Sequence, residues 1–143
     1  MFYSIGDVAK RTGIAISTLR YYDREGLFPN MDRSSGGIRV FSEKELATLK
    51  VIECLKSSGM SIVAIREFLN WCREGDASLA KRQAMFHERL QEVEKQLEEL
   101  QRTRNMIRFK CWYYDTAVAA GTEAVMRDLT PEQIPEELRG YRI

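Results

Sequence analysis

The stretch Thr18-Leu19-Arg20-Tyr21-Tyr22-Asp23, followed at residues 36–41 by Gly-Gly-Ile-Arg-Val-Phe, decides the fold of this chain. The first segment predicts a short helix, and the second predicts a tight hairpin that carries an exposed Arg39. A helix start rich in hydroxyl, guanidinium and phenol groups, followed by a glycine turn with an arginine, offers the chemistry of phosphate and base contacts. Residues 1–42 therefore favour a DNA-binding head.

Two short helices are predicted on either side of Gly13. Residues 4–7, Ser-Ile-Gly-Asp, have the spacing of an N-cap with an acid in the first turn, which predicts a first helix. A second helix is expected from about Ile16 to Glu25, with Gly26 as a left-handed C-cap. Two short helices joined by a turn that contains glycine form the helix-turn-helix pattern.

Bulk composition limits the remaining classes. The chain has 143 residues, 44% hydrophobic and 30% charged, which is typical of one soluble, helix-rich domain or of a small domain with an extension. It contains no run of roughly 18 apolar residues and no signal-peptide pattern at its start, so we expect a cytoplasmic protein without a membrane partner. The net charge of +1 means that DNA affinity must come from cations gathered on one face.

The second half of the chain predicts a long helix with a coiled-coil seam. Two further helices come first, opened by the capping box at residues 42–45 and by Ser61. Residues 78–114 then contain neither glycine nor proline, and their apolar residues recur with a period of 3.5. This apolar seam cannot be buried by its own helix, so we expect a homodimer. Its two series are Leu79, Phe86, Val93, Leu100 and Ile107, and Gln83, Leu90, Leu97, Arg104 and Cys111.

These patterns predict a mainly α fold, in which a helix-turn-helix domain with a short hairpin is followed by a long dimerising coiled-coil helix. The expected boundaries are residues 1–76 for the DNA-binding domain with two accessory helices and 77–118 for the dimerisation helix. Residues 119–143 are expected to form a short tail, packed on the end of that helix.

The chain resembles the MerR family of bacterial transcriptional regulators over about residues 3–111. The segments that carry the resemblance are residues 3–9, 18–27, 39–42 and 59–62. The resemblance implies a winged helix-turn-helix DNA-binding domain, in which the hairpin is the wing. It also implies a homodimer with an antiparallel coiled coil that binds double-stranded promoter DNA. It also implies activation by twisting and bending the DNA so that RNA polymerase can use the promoter.

The resemblance further implies a set of DNA-contacting residues. The second helix would lie in the major groove, with one of its two adjacent tyrosine rings packed inward. Arg39 would be the wing cation, and Phe41 lacks the hydroxyl of the tyrosine that is usual at its position. The full set is Ser17, Thr18, Arg20, Tyr21, Tyr22, Arg39, Phe41 and Lys56.

The signal that the protein would sense is left open by the sequence. Cys54 matches the single cysteine of the aldehyde- and electrophile-responsive branch of the family, while the alternative is a buried packing residue. A second possibility is a small apolar ligand in an aromatic pocket, where the end of one subunit's long helix meets the head of the other subunit. Its candidate lining residues are Trp71, Phe109, Trp112 and Tyr113.

Metal and catalytic chemistry are disfavoured. The three cysteines are isolated and odd in number, so we expect no metal site, no disulfide framework and no cofactor. The sequence lacks a phosphate-binding glycine loop and a recognisable catalytic triad, so an enzyme is not expected. Two competitors to a DNA-binding regulator stay open: a coiled-coil protein-interaction module, and a thiol-dependent enzyme. The inducer is unknown.

Overall fold

A computed structural model describes residues 1–143 as a mainly helical chain. The chain forms two compact units, residues 1–90 and residues 91–143, and the longest helix contributes to both. The α-helices are α1 (Ile5–Thr12), α2 (Ile16–Arg24), α3 (Glu43–Ser57), α4 (Ile62–Glu74) and α5 (Leu79–Ala120). Short 3-10 helices span Gly75–Ser78, Glu123–Met126, Pro131–Gln133 and Glu136–Tyr141.

The helix boundaries follow local capping chemistry, as the sequence predicts. Ser4 and Asp7 form a reciprocal capping box at the start of α1, and Gly13 ends that helix in the left-handed conformation, with φ of 75°. Ser42 forms the same kind of box at the start of α3, and the Ser61 hydroxyl accepts the amide of Ala64 at the start of α4. The predicted starts of α1 to α4 are confirmed, and α2 ends within one residue of the predicted Glu25.

The wing is a minimal hairpin with a single bridge, between Arg33 and Arg39. The Ser34 amide donates to the Ile38 carbonyl at 2.6 Å, and Gly37 occupies the turn with φ of 79°, a value that favours glycine. A second antiparallel bridge joins Tyr3 to Phe41, so the N-terminus pairs with the end of the wing. The predicted hairpin is therefore confirmed.

The first unit buries one apolar core beneath α1 to α4. The 3-4 spacing of apolar residues along each helix places them on one inward face. No helix combines the length and apolar composition that a membrane crossing requires. The buried apolar side chains of this core are Val8, Leu19, Tyr22, Leu27, Phe28, Met31, Phe41, Leu49, Ile52, Leu55, Ile65 and Phe68.

The second unit has its own small core, built by the tail on the end of α5. Phe109 of α5 is buried against Ile134 and Leu138, and Leu129 and Tyr141 pack around them. Thr130 begins a 3-10 helix with proline at its first position. The tail contains three short 3-10 helices.

The apolar seam of α5 is exposed in the chain described here. Leu100, for example, keeps 67% of its surface accessible. The seam also runs further than predicted, because Tyr114 and Val118 continue its two series and are exposed as well. Gln83 and Arg104, its long polar members, are likewise exposed.

Candidate nucleic-acid interface

Helix α2 has one buried face and one open face. Leu19 and Tyr22 are buried and fix the helix to the core. Ser17, Arg20 and Tyr21 are exposed on the opposite side, and Thr18 is half-buried at the edge. Arg24, which is not among the predicted DNA contacts, is exposed and lies four residues after Arg20. Because residues four apart share a helix face, that spacing was the available signal for Arg24.

Tyr22 is wrongly assigned to the DNA contacts. Its side chain is 0% exposed, whereas Tyr21 keeps 40% of its surface. The Tyr22 hydroxyl donates to Oε1 of Glu53 on α3 at 2.7 Å. Burial raises the pKa of the Tyr22 phenol. The expectation that one of the two rings packs inward is confirmed, and the inward ring is Tyr22.

Lys56 is exposed near the end of α3, beside the Tyr22 ring. A hydrogen bond with Tyr22 raises the pKa of the Lys56 ammonium, which therefore stays charged well into alkaline solution. Its Nζ lies 5.4 Å from the centroid of the Tyr22 ring. Tyr22 thus links a core position of α2 to a surface cation of α3.

The C-terminal end of α2 is anchored by a third element. Nη1 of Arg66, on α4, donates to the Glu25 carbonyl at 2.8 Å. Lysine and arginine donors satisfy the carbonyls that a helix leaves open at its end. Helix α2 is therefore held by α3 in its middle and by α4 at its end, which leaves its outer face free.

Arg39 turns toward the protein. Its Nη2 lies 2.8 Å from Oδ1 of Asp23 and donates to the Phe28 carbonyl at 2.6 Å. Its Nε is buried and has no hydrogen-bond partner. The predicted free wing cation is therefore engaged within the chain.

Phe41 is also wrongly assigned to the DNA contacts. It is 2% exposed and packs edge-on against Phe28, with ring centroids 5.5 Å apart. Its backbone pairs with Tyr3. Phe41 anchors the base of the wing in the core and has no surface to offer to DNA.

The candidate sensor thiol, Cys54, is accessible on the surface. Cys54, Cys72 and Cys111 are all exposed free thiols, so the buried-packing interpretation of Cys54 is wrong. No group of three or more His, Cys, Asp or Glu side chains is arranged to hold a metal ion.

The candidate lining residues of the aromatic pocket pack against the cores of their own units. Trp71 packs against the core of the first unit, and Trp112 and Tyr113 pack against that of the second. Phe109 is only 1% exposed because Ile134 and Leu138 of the tail cover it. The ring that was expected to line a ligand pocket is a core residue.

Two family models match the chain. One, described as MerR HTH family regulatory protein, covers residues 3–71. The other, described as MerR, DNA binding, covers residues 46–108. Together they span α1 to α4 and most of α5.

Individual relatives agree with the family models. An uncharacterized HTH-type transcriptional regulator of Haemophilus influenzae is 35% identical, over 95% of this chain and 98% of its own length. The regulator ZntR of Escherichia coli K12 is 34% identical over 69% of this chain and 71% of its own.

A solved structure gives the same answer for the fold. The crystal structure of HiNmlR, a MerR family regulator lacking the sensor domain and bound to promoter DNA, is 35% identical with a TM-score of 0.78. The match covers 87% of this chain and 99% of that one. The helix-turn-helix geometry, the exposed face of α2 and these matches lead to one conclusion. The chain belongs to the MerR family of helix-turn-helix transcriptional regulators.

Proposed function

We propose that this regulator binds promoter DNA as a homodimer and controls transcription by distorting that DNA. The observation that carries the proposal is the anchored α2 helix with its open, cationic face. It is supported by the 35% identity to HiNmlR, whose structure is bound to promoter DNA. We assign DNA binding to residues 1–76, dimerisation to 77–118, and a packing role to the tail, 119–143.

The groove contacts are assigned to the outer face of α2. Ser17, Thr18 and Tyr21 offer hydroxyls, and Arg20 offers a planar fork that suits a phosphate or a guanine. We add Arg24, which shares their face. The first amides of α2 are also free of a side-chain cap, because residue 15 is alanine. Helix N-termini of this kind attract phosphate oxygens.

Lys56 is assigned to a phosphate contact. Its ammonium lies 5.4 Å from the centroid of the Tyr22 ring, and the hydrogen bond that it donates to the Tyr22 hydroxyl raises its pKa. An ordered cation loses less side-chain freedom when it meets a phosphate than a free lysine does. Tyr22 therefore contributes to binding indirectly, through the position of Lys56.

The homodimer rests on the apolar seam of α5. A continuous exposed stripe of leucine, valine and aromatic side chains is typical of an interaction surface, and its 3.5 period fits a second helix of the same kind. The antiparallel arrangement is taken from the family resemblance. Two DNA-binding heads joined by a rigid dimer interface can bind one duplex together and bend it. We propose that this bending, in the cytoplasm, lets RNA polymerase use the promoter.

The decisive experiment measures duplex binding of Arg20→Ala across a salt series. Loss of one phosphate or guanine contact is expected to weaken binding about tenfold and, for a phosphate, to reduce the salt slope by about one. Lys95→Ala is the matched control, because it removes an exposed cation from α5. Wild-type affinity in Arg20→Ala would contradict the assignment of α2 to the groove. A wild-type protein without salt-dependent duplex binding would favour the protein-interaction module.

For the signal, we propose that Cys54 senses aldehydes or other electrophiles. Its exposed sulfur can add to an aldehyde carbon while the thiol proton passes to the carbonyl oxygen, which forms a hemithioacetal. The relative described as lacking the sensor domain supports a signal received by the head and helices themselves. The apolar-ligand alternative is less well supported, because the tail occupies the surface of Phe109.

The thiol proposal is tested with three matched variants. Cys54→Ser is expected to keep DNA binding and to abolish the transcriptional response to aldehydes, while Cys72→Ser and Cys111→Ser respond normally. A full response from Cys54→Ser would contradict the proposal. We also propose that the thiol reacts once and has no enzymatic role, so turnover beyond one equivalent per cysteine would favour the thiol-dependent enzyme.

A further inference from the structure

The contact between Asp23 and Arg39 joins the two parts of the head that DNA would meet. Asp23 lies on α2, two residues after the exposed Tyr21, and Arg39 lies on the outgoing arm of the wing. Their side chains are 29% and 30% exposed, and the shortest N–O distance is 2.8 Å. The same nitrogen of Arg39 also donates to the Phe28 carbonyl at 2.6 Å.

The arginine is committed to these protein partners. One guanidinium nitrogen serves both acceptors, and Nε is buried without a partner. A phosphate that drew Nη2 away would break its contacts with the Asp23 carboxylate and the Phe28 carbonyl. A partly buried acceptor that loses its donor destabilises the fold. The arrangement favours a fixed arginine over a mobile one.

The remaining wing contacts do not fix its orientation as directly. Arg33 donates to the Gly37 carbonyl within the hairpin itself, and Ile38 at the tip is exposed. Phe41 holds the base of the wing in the core through Phe28. Within the wing, Arg39 is the side chain that forms an ion pair with α2.

We propose that Arg39 is a positioning residue that locks the wing to α2 through Asp23 and the Phe28 carbonyl, and that it makes no phosphate contact of its own. This inference rests on the proposed DNA binding. Helix α2 and the wing must meet one duplex together, so a fixed angle between them removes an ordering cost at binding. Asp23, an acid close to the interface, therefore acts there by holding Arg39.

The experiment is a double-mutant cycle on duplex binding with Arg39→Ala, Asp23→Ala and the double variant. Each single change is expected to weaken binding by about three- to tenfold, and the double variant is expected to bind no worse than either single one. All three should keep the wild-type salt slope. Arg20→Ala, as the matched contact variant, should lower that slope by about one.

The opposite outcome is equally specific. If Arg39 contacts a phosphate, Arg39→Ala lowers the salt slope by about one, and Asp23→Ala binds as tightly as wild type or tighter, because an acid near DNA has been removed. That pair of results would overturn the inference while leaving the DNA-binding function intact. Failure of the wild type to bind duplex would instead contradict the proposed function.

Two further measurements separate positioning from loss of fold. Asp23→Asn keeps an acceptor for Arg39, so it should weaken binding less than Asp23→Ala does. Amide exchange in residues 33–41 should accelerate in Arg39→Ala, while exchange in α3 stays at the wild-type rate. Unchanged exchange in the wing would contradict the lock, and faster exchange throughout the head would show a general structural role instead.

Discussion

Helices α3 and α5 carry similar apolar spacing but use it differently. In α3, Leu49, Ile52 and Leu55 are buried in the core of the first unit. In α5, Leu97 and Leu100 follow a comparable 3-4 pattern and are exposed to solvent. The apolar periodicity of a helix thus predicts that one of its faces will be buried. Whether the same chain or a second one buries that face depends on the elements available to pack against it. The α3 face is completed within one chain, whereas the α5 face needs a second one.

The largest expected effect comes from placing a charge in the α5 seam. Leu97→Glu should convert the dimer to a monomer, because the carboxylate would be buried without a partner. Affinity for the full operator should then fall by about 100-fold or more, since the two heads no longer bind together. Sedimentation and a gel shift measure the two effects.

The control for this prediction is Gln101→Glu, which adds the same charge to α5 at an exposed position outside the seam. It should remain dimeric and bind the operator normally. A dimeric Leu97→Glu variant would contradict the assignment of the seam.

An intermediate effect distinguishes a face covered within the chain from one covered by a partner. Leu49→Ala, at a position 1% exposed, should lower the free energy of unfolding by about 2–5 kcal/mol at any protein concentration. Leu100→Ala should instead destabilise the protein in a concentration-dependent way, because its cavity lies in the dimer interface. Denaturant melts at two protein concentrations test both. If the loss of stability in Leu100→Ala did not depend on protein concentration, Leu100 would pack against residues of its own chain instead of a partner.

The smallest expected effect comes from removing the Tyr22 hydroxyl, which contacts the polar side chains of α3. Tyr22→Phe keeps the buried ring but removes the hydroxyl that joins Glu53 to Lys56. The expected loss of stability is about 1 kcal/mol, the usual contribution of one hydrogen bond.

The pKa of Lys56 provides a direct measurement. It should fall toward its ordinary value in Tyr22→Phe, and NMR titration of the ammonium follows it. The raised pKa of wild-type Lys56 means that its contribution is complete below the unfolded pKa and is lost as the pH rises through the folded one. The difference between the two proteins should therefore shrink in strong alkali, and a Lys56 pKa that does not change would contradict the link.

The helices and their ends could be predicted from sequence because they depend on local chemistry. Ser4, Ser42 and Ser61 cap their helices through residues within one turn, and Gly13 and Gly37 mark backbone conformations that other residues avoid. The family could likewise be identified, since its motifs are short and ordered along the chain.

The direction of individual side chains was harder to predict. Tyr21 and Tyr22 are adjacent on α2, and only Glu53 of α3, distant in sequence, shows which of them turns inward. Arg39 needs an acceptor on α2 and a carbonyl at residue 28 to be held. The orientations of Tyr22 and Arg39 depend on contacts with residues that are distant in sequence, and no local sequence pattern encodes such contacts.

Arg104 gives the seam of α5 an alignment marker. It is a long cation within a series whose neighbours are Leu97 and Cys111. In the proposed dimer, the environment of that guanidinium depends on the register of the two helices. In some registers it would be buried among apolar side chains, and in others it would contact water or an acidic side chain. A single charge in a mostly apolar seam therefore lowers the stability of the dimer and specifies one register of the two helices. That register in turn fixes the distance between the two DNA-binding heads.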